Sequence, residues 1–291
     1  MYKKQIVVVV IVFAIMGYLF SQPVKGLIKP KETQGHANKA VQQARPAVNV
    51  TLEMVSSAAK IAIGPSLSAQ INDTEGQLKN AGDDAAKLGL QKKLARQWDD
   101  VNQPAPAAFY YQAIARKENT FDDWLTAGSH FNDAFTNVQD TLSQPAFVSN
   151  AIECYKNAVK LEPANLDAKT GLGVAYVNQT SLGITDPDGG SPMQGIMLLL
   201  DVVKQDPKNI NANFNLGKFA VNSHQFEKAV QRFKTVITQK PDPNAYLYLA
   251  ESYKQLGMKK EAADAYQKCR AMVPDAAFDK QIDEYIKELK N

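Results

Sequence analysis

Residues 210–241, INANFNLGKFAVNSHQFEKAVQRFKTVITQKP, and residues 242–274, DPNAYLYLAESYKQLGMKKEAADAYQKCRAMVP, carry one pattern twice. Each copy contains a leucine followed by a small residue, then an alanine, an aromatic residue and a closing proline. The matched residues are Leu216 and Leu249, Gly217 and Ala250, Ala229 and Ala262, Phe233 and Tyr266, and Pro241 and Pro274. A period in this range, with two helical stripes in each period, predicts a solenoid of stacked helical hairpins.

Each shared residue type has a physical reason for its position. The small residues at 217 and 250 let the first helix of a pair lie close against the second, and the alanines do the same from the other side. Phe233 and Tyr266 fill the gap to the next pair. Proline cannot continue a helix, so it ends each copy. The stretch closely resembles the tetratricopeptide repeat family, which implies an all-α solenoid.

The same register extends upstream of residue 210. Trp124, Gly128 and Phe131 fall at positions four, eight and eleven of a first helix that begins at Phe121. Another first helix carries Leu172 and Gly173 at positions seven and eight, and each of these two helices is followed by a second helix after an insertion. The sequence therefore predicts four helical pairs.

The pattern divides the chain into five parts. Residues 1–22 are predicted to be an N-terminal transmembrane helix, residues 23–46 a flexible tether with several prolines and glycines, and residues 47–120 a helical preamble or degenerate repeats. Residues 121–274 hold the repeats. Residues 275–291 are predicted to form a capping helix, because the last repeat would otherwise expose its inner face.

The anchor prediction rests on the apolar residues 6–20, which follow Lys3 and Lys4. A signal peptide begins in the same way, but bulky residues stand at 18–20 where a cleavage site needs small ones. An uncleaved anchor is therefore favoured. The run rises about 22 Å against a hydrocarbon core of about 30 Å, so Gln5 and Ser21 must lie near the membrane edges or the bilayer must thin.

Positive charges flank the apolar run on both sides, so they do not settle its orientation alone. We give more weight to the short charged N-terminus, since large domains translocate despite their charge. The expected location is the bacterial inner membrane, single-pass, with the C-terminal body in the periplasm. An N-terminal anchor joined to a repeat body resembles bacterial proteins associated with the translocon or with envelope assembly.

Composition and motifs argue against a reaction centre. Of the 33 lysines and arginines, seven lie within residues 1–45 beside a single acid, and no basic stripe with interleaved aromatics predicts nucleic-acid binding. The three histidines stand far apart, and we find no phosphate loop or nucleophile motif. Cys154 and Cys269 are interpreted as core residues. We expect no catalytic residues, no metal, no cofactor and no enzyme activity.

The resemblance also implies a binding surface. In tetratricopeptide proteins, positions two, five, nine, twelve and thirteen of each repeat line a concave groove that accepts a peptide or a helix. With repeats counted from residues 166, 210 and 243, these positions hold Asp167, Thr170, Val174, Val177 and Asn178; Asn211, Phe214, Lys218, Val221 and Asn222; and Asn244, Leu247, Glu251, Lys254 and Gln255.

We select nine of these residues as the predicted protein-binding site, because they combine an apolar strip with flanking amides and charges. They are Val174, Val177, Asn178, Phe214, Lys218, Val221, Asn222, Leu247 and Glu251. The family's carboxylate clamp, lysine at five and asparagine at nine, is absent. The strip suits an amphipathic helix or an extended apolar peptide. In the alternative interpretation, the protein's own helices cover it.

The sequence thus predicts a membrane-tethered scaffold or adaptor that binds other envelope proteins through its groove. One alternative is a chaperone-like holder of exported proteins, associated with translocation or envelope assembly. Another is a structural homo-oligomer. All three use a protein-binding surface and none requires chemistry.

Overall fold

A computed structural model describes residues 49–138, 140–184 and 192–289. Within these ranges the chain forms thirteen α-helices and no β-strand, so the predicted all-α class is confirmed. The helices are α1 Leu52–Ile63, α2 Pro65–Asn80, α3 Asp84–Asp100, α4 Pro104–Glu118, α5 Phe121–Asn137, α6 Gln144–Leu161, α7 Leu166–Ser181, α8 Pro192–Gln205, α9 Ile210–Asn222, α10 Phe226–Gln239, α11 Pro243–Gln255, α12 Lys259–Met272 and α13 Ala276–Glu288.

Helices α5 to α12 pack as four hairpins, α5 with α6, α7 with α8, α9 with α10 and α11 with α12. The first helix of each hairpin also contacts the first helix of the next: α5 meets α7, α7 meets α9, and α9 meets α11. Within the described ranges, the second helices of neighbouring hairpins do not approach one another to that extent. The first helices therefore form the inner layer of a helical solenoid.

Local sequence sets the helix ends. Asn119 adopts a left-handed conformation (φ 52°) and ends α4, and Thr120 then caps α5 by accepting a hydrogen bond from the Asp123 amide. Asp242 caps α11 in the same way, with Pro243 in the first helical turn. Side-chain oxygens at N-caps satisfy amides that have no partner inside the helix.

The residues shared by the two quoted copies form the core of the last two hairpins. Ala229, Ala262 and Phe233 are fully buried, and Leu216, Leu249, Ala250 and Tyr266 are nearly so. A Cβ added at Gly217 would lie 2.7 Å from the Phe233 ring, which confirms the need for a small residue there. The prediction that Cys154 and Cys269 are core residues is confirmed, since both are buried, unpaired thiols.

Helices α1 to α4 precede the first of these hairpins. Of these, α3 and α4 pack together, and Trp98 lies at the centre of an apolar cluster shared by all four helices. Helix α6 begins at Gln144 and has Pro145 in its first turn, where proline is tolerated. At the other end, α13 packs on α12 and buries Ile282 and Leu289. The proposed domain boundaries remain predictions.

The predicted anchor at 1–22 and tether at 23–46 lie outside the described residues. Among the thirteen helices described above, none combines the length and the apolar character needed to cross a bilayer.

Candidate functional site: a polar cavity in the inner layer

A cavity of about 650 Å³ opens between the first helices α5, α7 and α9. Helices α5, α7 and α9 supply all but one of the lining residues, and α6 supplies the other. The lining residues are Leu125, Thr126, Ser129, His130, Asn132, Asp133, Tyr155, Asp167, Thr170, Gly171, Val174, Asn211 and Asn215. Most of the lining residues carry an amide, hydroxyl, carboxylate or imidazole group, so a ligand could make polar contacts here.

One aromatic ring of the cavity lining is held between two glycines. Tyr155 of α6 projects between α5 and α7, and we call this contact the open seam. A Cβ at Gly128 would lie 3.0 Å from the Tyr155 ring, and a Cβ at Gly171 would lie 2.2 Å from it. The ring therefore has no room for a side chain on either flank, and its hydroxyl reaches the cavity, where Asn132 Nδ2 donates to it over 3.2 Å.

Two oxygens in the lining have no hydrogen-bond partner among the described residues. They are Asn132 Oδ1 and Thr170 Oγ1, and Thr170 as a whole is only 5% exposed. A buried polar atom without a partner costs about 1–3 kcal/mol, so most such atoms in folded proteins are satisfied. Both atoms are themselves buried from solvent, although their residues line the cavity.

His130, a residue of the cavity lining, takes part in a hydrogen-bonded network with Asp99 and Tyr111. His130 Nε2 lies 2.8 Å from Asp99 Oδ1, and its Nδ1 lies 2.8 Å from the Thr126 carbonyl oxygen. Both partners are acceptors, so the arrangement is complete only when both ring nitrogens carry a proton. Tyr111 donates to the other Asp99 oxygen over 2.5 Å and its ring lies 4.5 Å from the imidazole.

The pKa shifts follow from this geometry. Burial alone would lower the pKa of His130, but the hydrogen bonds to Asp99 and to the Thr126 carbonyl outweigh it and raise that pKa. Burial would raise the pKa of Asp99, yet the hydrogen bonds from His130 and Tyr111 hold it below its usual value. The pKa of Asp133 is raised, chiefly by burial. Both pKa shifts favour the charged forms, so His130 and Asp99 stabilise each other's charge beside the cavity.

The three predicted site residues on α7 have different surroundings. Val174 lines the cavity and also packs against the apolar cluster around Leu199. Val177 and Asn178 are half-buried further along the helix and lie outside the cavity lining.

The predicted residues on α9 and α11 lie beyond the cavity. Phe214 is half-buried, with its ring centroid 5.8 Å from that of Phe233 and 6.0 Å from that of Tyr248. Phe233 in turn stacks on Tyr248 at 5.4 Å and 8°. We call this contact between α9 and α11 the filled seam, since aromatic rings occupy the space that the open seam leaves empty.

Several of the other predicted residues on α9 and α11 contact side chains of the protein itself. Val221 and Leu247 pack against the core of the last hairpins. Glu251 accepts hydrogen bonds from Gln255 and from the Tyr266 hydroxyl. Lys218 is half-buried and Asn222 is exposed. The apolar strip is therefore held partly by the protein's own side chains, and its role in binding remains a prediction.

Sequence reasoning missed the α5 contribution. Ser129, Asn132 and Asp133 fall at positions nine, twelve and thirteen of the repeat that begins at Phe121, and all three line the cavity. Trp124 and Gly128 already fixed the register of this repeat, and that register would have identified the three residues. On α7, the residues at positions two, five and nine also line it, so the positions implied by the resemblance describe this cavity well.

Comparison with known proteins identifies one repeat directly. Residues 244–276 match the tetratricopeptide repeat family. No curated protein matches the sequence.

Solved structures share the fold. A thermophilic TPR protein from Thermus thermophilus superposes with a TM-score of 0.52 at 17% identity, covering 69% of this chain and 98% of that protein. MamA from Desulfovibrio magneticus RS-1, in a form that starts at its residue 41, gives a TM-score of 0.46 at 17% identity, covering 66% and 96% of the two chains.

Proposed function

We propose that this chain is a non-enzymatic scaffold of the tetratricopeptide-repeat type, which binds a partner protein through the inner layer of its solenoid. The observation that carries the proposal is the cavity between α5, α7 and α9, most of whose lining residues carry polar groups. A helical solenoid of this kind suggests protein–protein interaction, and the cavity supports the inner layer as the proposed binding surface.

We further propose that residues 6–20 tether this scaffold to the bacterial inner membrane, with the repeat body in the periplasm. The apolar run behind Lys3 and Lys4 supports the anchor, and the prolines and glycines of residues 23–46 support a tether that holds the body away from the bilayer. The partner is then another envelope protein.

Photo-crosslinking in native membranes tests the binding surface. The full chain carries a photoreactive amino acid at Asn211, an exposed residue at the cavity edge, and the matched control carries it at Gln231, an exposed residue on the second helix α10. We expect a discrete cross-linked product from position 211 and none from 231. Equal capture from both positions, or capture from 231 alone, would overturn the proposal.

The pattern of capture separates the functional classes. One stoichiometric partner from position 211 supports an adaptor, whereas many newly exported chains would support a chaperone-like holder and a second copy of this chain would support a homo-oligomer. Phe214 is a poor test position, since replacing it also disturbs the filled seam.

A further inference from the structure

We propose that the outward face of α8 contacts the surface of an anionic lipid bilayer. Met193, Met197 and Leu200, which we call the α8 stripe, enter the boundary between headgroups and acyl chains, and neighbouring lysines meet the lipid phosphates. The inference goes beyond the proposed function, because this face belongs to the outer layer of the solenoid. It requires neither a partner protein in the inner layer nor the proposed anchor.

The α8 stripe consists of three large apolar side chains that project outward. They stand four and three residues apart, so they share one face of the helix. Met193 is 61% exposed, Met197 62% and Leu200 43%. The opposite face packs into the solenoid through Leu199 and Val202, which are fully buried. A helix that is apolar on both sides is expected to be covered on both sides, so the outward face calls for an apolar environment.

The other second helices of the four hairpins are polar at the same positions. The repeat register aligns Leu199 of α8 with Tyr155 of α6, Phe233 of α10 and Tyr266 of α12. The three positions of the stripe then hold Ser149, Glu153 and Lys156 in α6, Glu227, Gln231 and Lys234 in α10, and Lys260, Asp264 and Gln267 in α12. An apolar outward face is therefore particular to α8, and exposed apolar patches with a polar rim mark protein or membrane contacts.

Cations border the α8 stripe at its C-terminal end. Lys204 stands one helical turn beyond Leu200 on the same face. Lys208 and Lys234 line a groove of about 370 Å³ between the α8–α9 turn and α10. All three lysines are exposed, and none forms an ion pair with another residue of the described ranges. An apolar patch therefore runs into a group of unpaired positive charges.

The carboxylates at this end of α8 are already bonded. Asp201 Oδ2 accepts hydrogen bonds from Lys169 Nζ over 3.0 Å and from Gln205 Nε2 over 2.8 Å. Asp206 Oδ1 accepts one from the Lys208 amide. The ammonium groups of the three lysines therefore remain for an external anion. Anionic lipid headgroups supply that charge directly beside an apolar phase, which is the combination that this surface offers in complementary form.

A bilayer suits the α8 stripe better than a peptide does. The second helices form the outer layer, and in the described ranges they do not pack closely on one another, so the stripe projects from a convex surface. A peptide partner needs a groove or a sheet edge to receive it. The lipid boundary deforms around projecting side chains, and the apolar stems of lysine lie along it while the ammonium reaches the headgroups.

Fluorescence quenching with the full chain in proteoliposomes tests the contact. A bimane label is attached at Met197→Cys, and the matched control carries it at Asp264→Cys, the corresponding position on α12. Cys154 and Cys269 are buried and do not compete for the label. The vesicles contain phosphatidylcholine and phosphatidylglycerol in equal amounts, with a nitroxide near the top of some acyl chains. We expect quenching at position 197 and little at position 264.

Removing the lysine charge should release the face from the bilayer. Lys204→Gln combined with Lys208→Gln should lower the ratio of contacting to free molecules by about 25-fold, since one lysine near an anionic surface contributes a factor of about five. Vesicles of phosphatidylcholine alone should also give weaker quenching. Lys259→Gln combined with Lys260→Gln, at exposed positions on α12, is the control and should change nothing. Urea unfolding verifies that each variant is folded.

Soluble iodide distinguishes a bilayer from a protein on this face. A bilayer contact protects position 197 from iodide and exposes it to the lipid nitroxide. Protection from iodide without nitroxide quenching would overturn the inference and assign the face to a protein, either a partner or a second copy. Equal nitroxide quenching at positions 197 and 264, or quenching that needs neither anionic lipid nor the two lysines, would also overturn it. Capture of a partner from Asn211 would leave the proposed scaffold standing in each of these cases.

Discussion

The open seam and the filled seam are equivalent contacts between successive hairpins, but different side chains occupy them. In each, an aromatic ring from a second helix is inserted between two first helices: Tyr155 between α5 and α7, and Phe233 between α9 and α11. Each ring lies against a glycine at position eight, Gly128 or Gly217. The other flank differs, since position six holds Gly171 in the open seam and Tyr248 in the filled seam.

That difference, together with Phe214, changes what the joint contains. Tyr248 stacks on Phe233 and Phe214 closes the remaining space, so the filled seam is packed with three rings. In the open seam, Gly171 adds nothing beyond the Tyr155 ring, and polar side chains surround the space that is left. The filled seam is therefore closely packed, whereas the open seam leaves a cavity with mostly polar lining residues.

The largest expected effect breaks the filled seam. Phe233→Ala removes a fully buried ring between two helices, and we expect a loss of about 3–5 kcal/mol in the free energy of unfolding. Urea denaturation of the full chain followed by circular dichroism measures it. Asn211→Ala at the edge of the open seam is the contrast, with an expected change within about 0.5 kcal/mol. Similar losses in both variants would remove the distinction between the seams.

A smaller effect tests why the open seam needs glycine. Gly171→Ala places a Cβ 2.2 Å from a ring that Gly128 blocks on its other side, so the helices must move apart. We expect a net loss of about 1–3 kcal/mol in the free energy of unfolding. The control is Gly76→Ala in α2, where no atom lies within 4 Å of the added Cβ, and where helix propensity predicts a gain of about 0.5–1 kcal/mol. A gain at both positions would contradict the close packing described for Tyr155.

The smallest effect concerns the contact between His130 and Asp99 beside the open seam. Since the folded-state pKa of His130 is raised, its stabilisation is complete below the ordinary histidine pKa of about 6.5 and is lost as pH rises through the raised value. The groups that face it are Asp99 on α3, Tyr111 on α4 and Asp133 on its own helix.

We therefore expect the wild type to exceed His130→Gln in stability by on the order of 1 kcal/mol at mildly acidic pH, and this advantage should shrink as the pH rises. Because the pKa of Asp99 is lowered, the contribution of that carboxylate should be lost only as the pH falls through its lowered value. Urea unfolding of both proteins across this pH range is the measurement. An advantage that grows with pH would show that the imidazole is held neutral.

Much of the solenoid could be predicted because its signals are local. Leu216, Gly217, Ala229 and Phe233 recur in register one repeat later, and that spacing alone places them on buried helix faces. The binding residues were harder to select. Position five holds Thr170, Phe214 and Leu247 in successive repeats, and hydrophobicity favoured the last two, which the structure packs against core side chains.

The sequence by itself determined that paired helices stack, which faces they bury and where each helix ends, because caps, prolines and helical periodicity act within a few residues of the chain. Only the tertiary structure decided which joint is closed and which holds a cavity. That outcome depends on side chains brought together from helices far apart in the chain, such as Asn132, Thr170 and Asn211 around Tyr155. Whether the space between them is filled depends on the volumes and hydrogen bonds of all of them at once, and no local pattern encodes that sum.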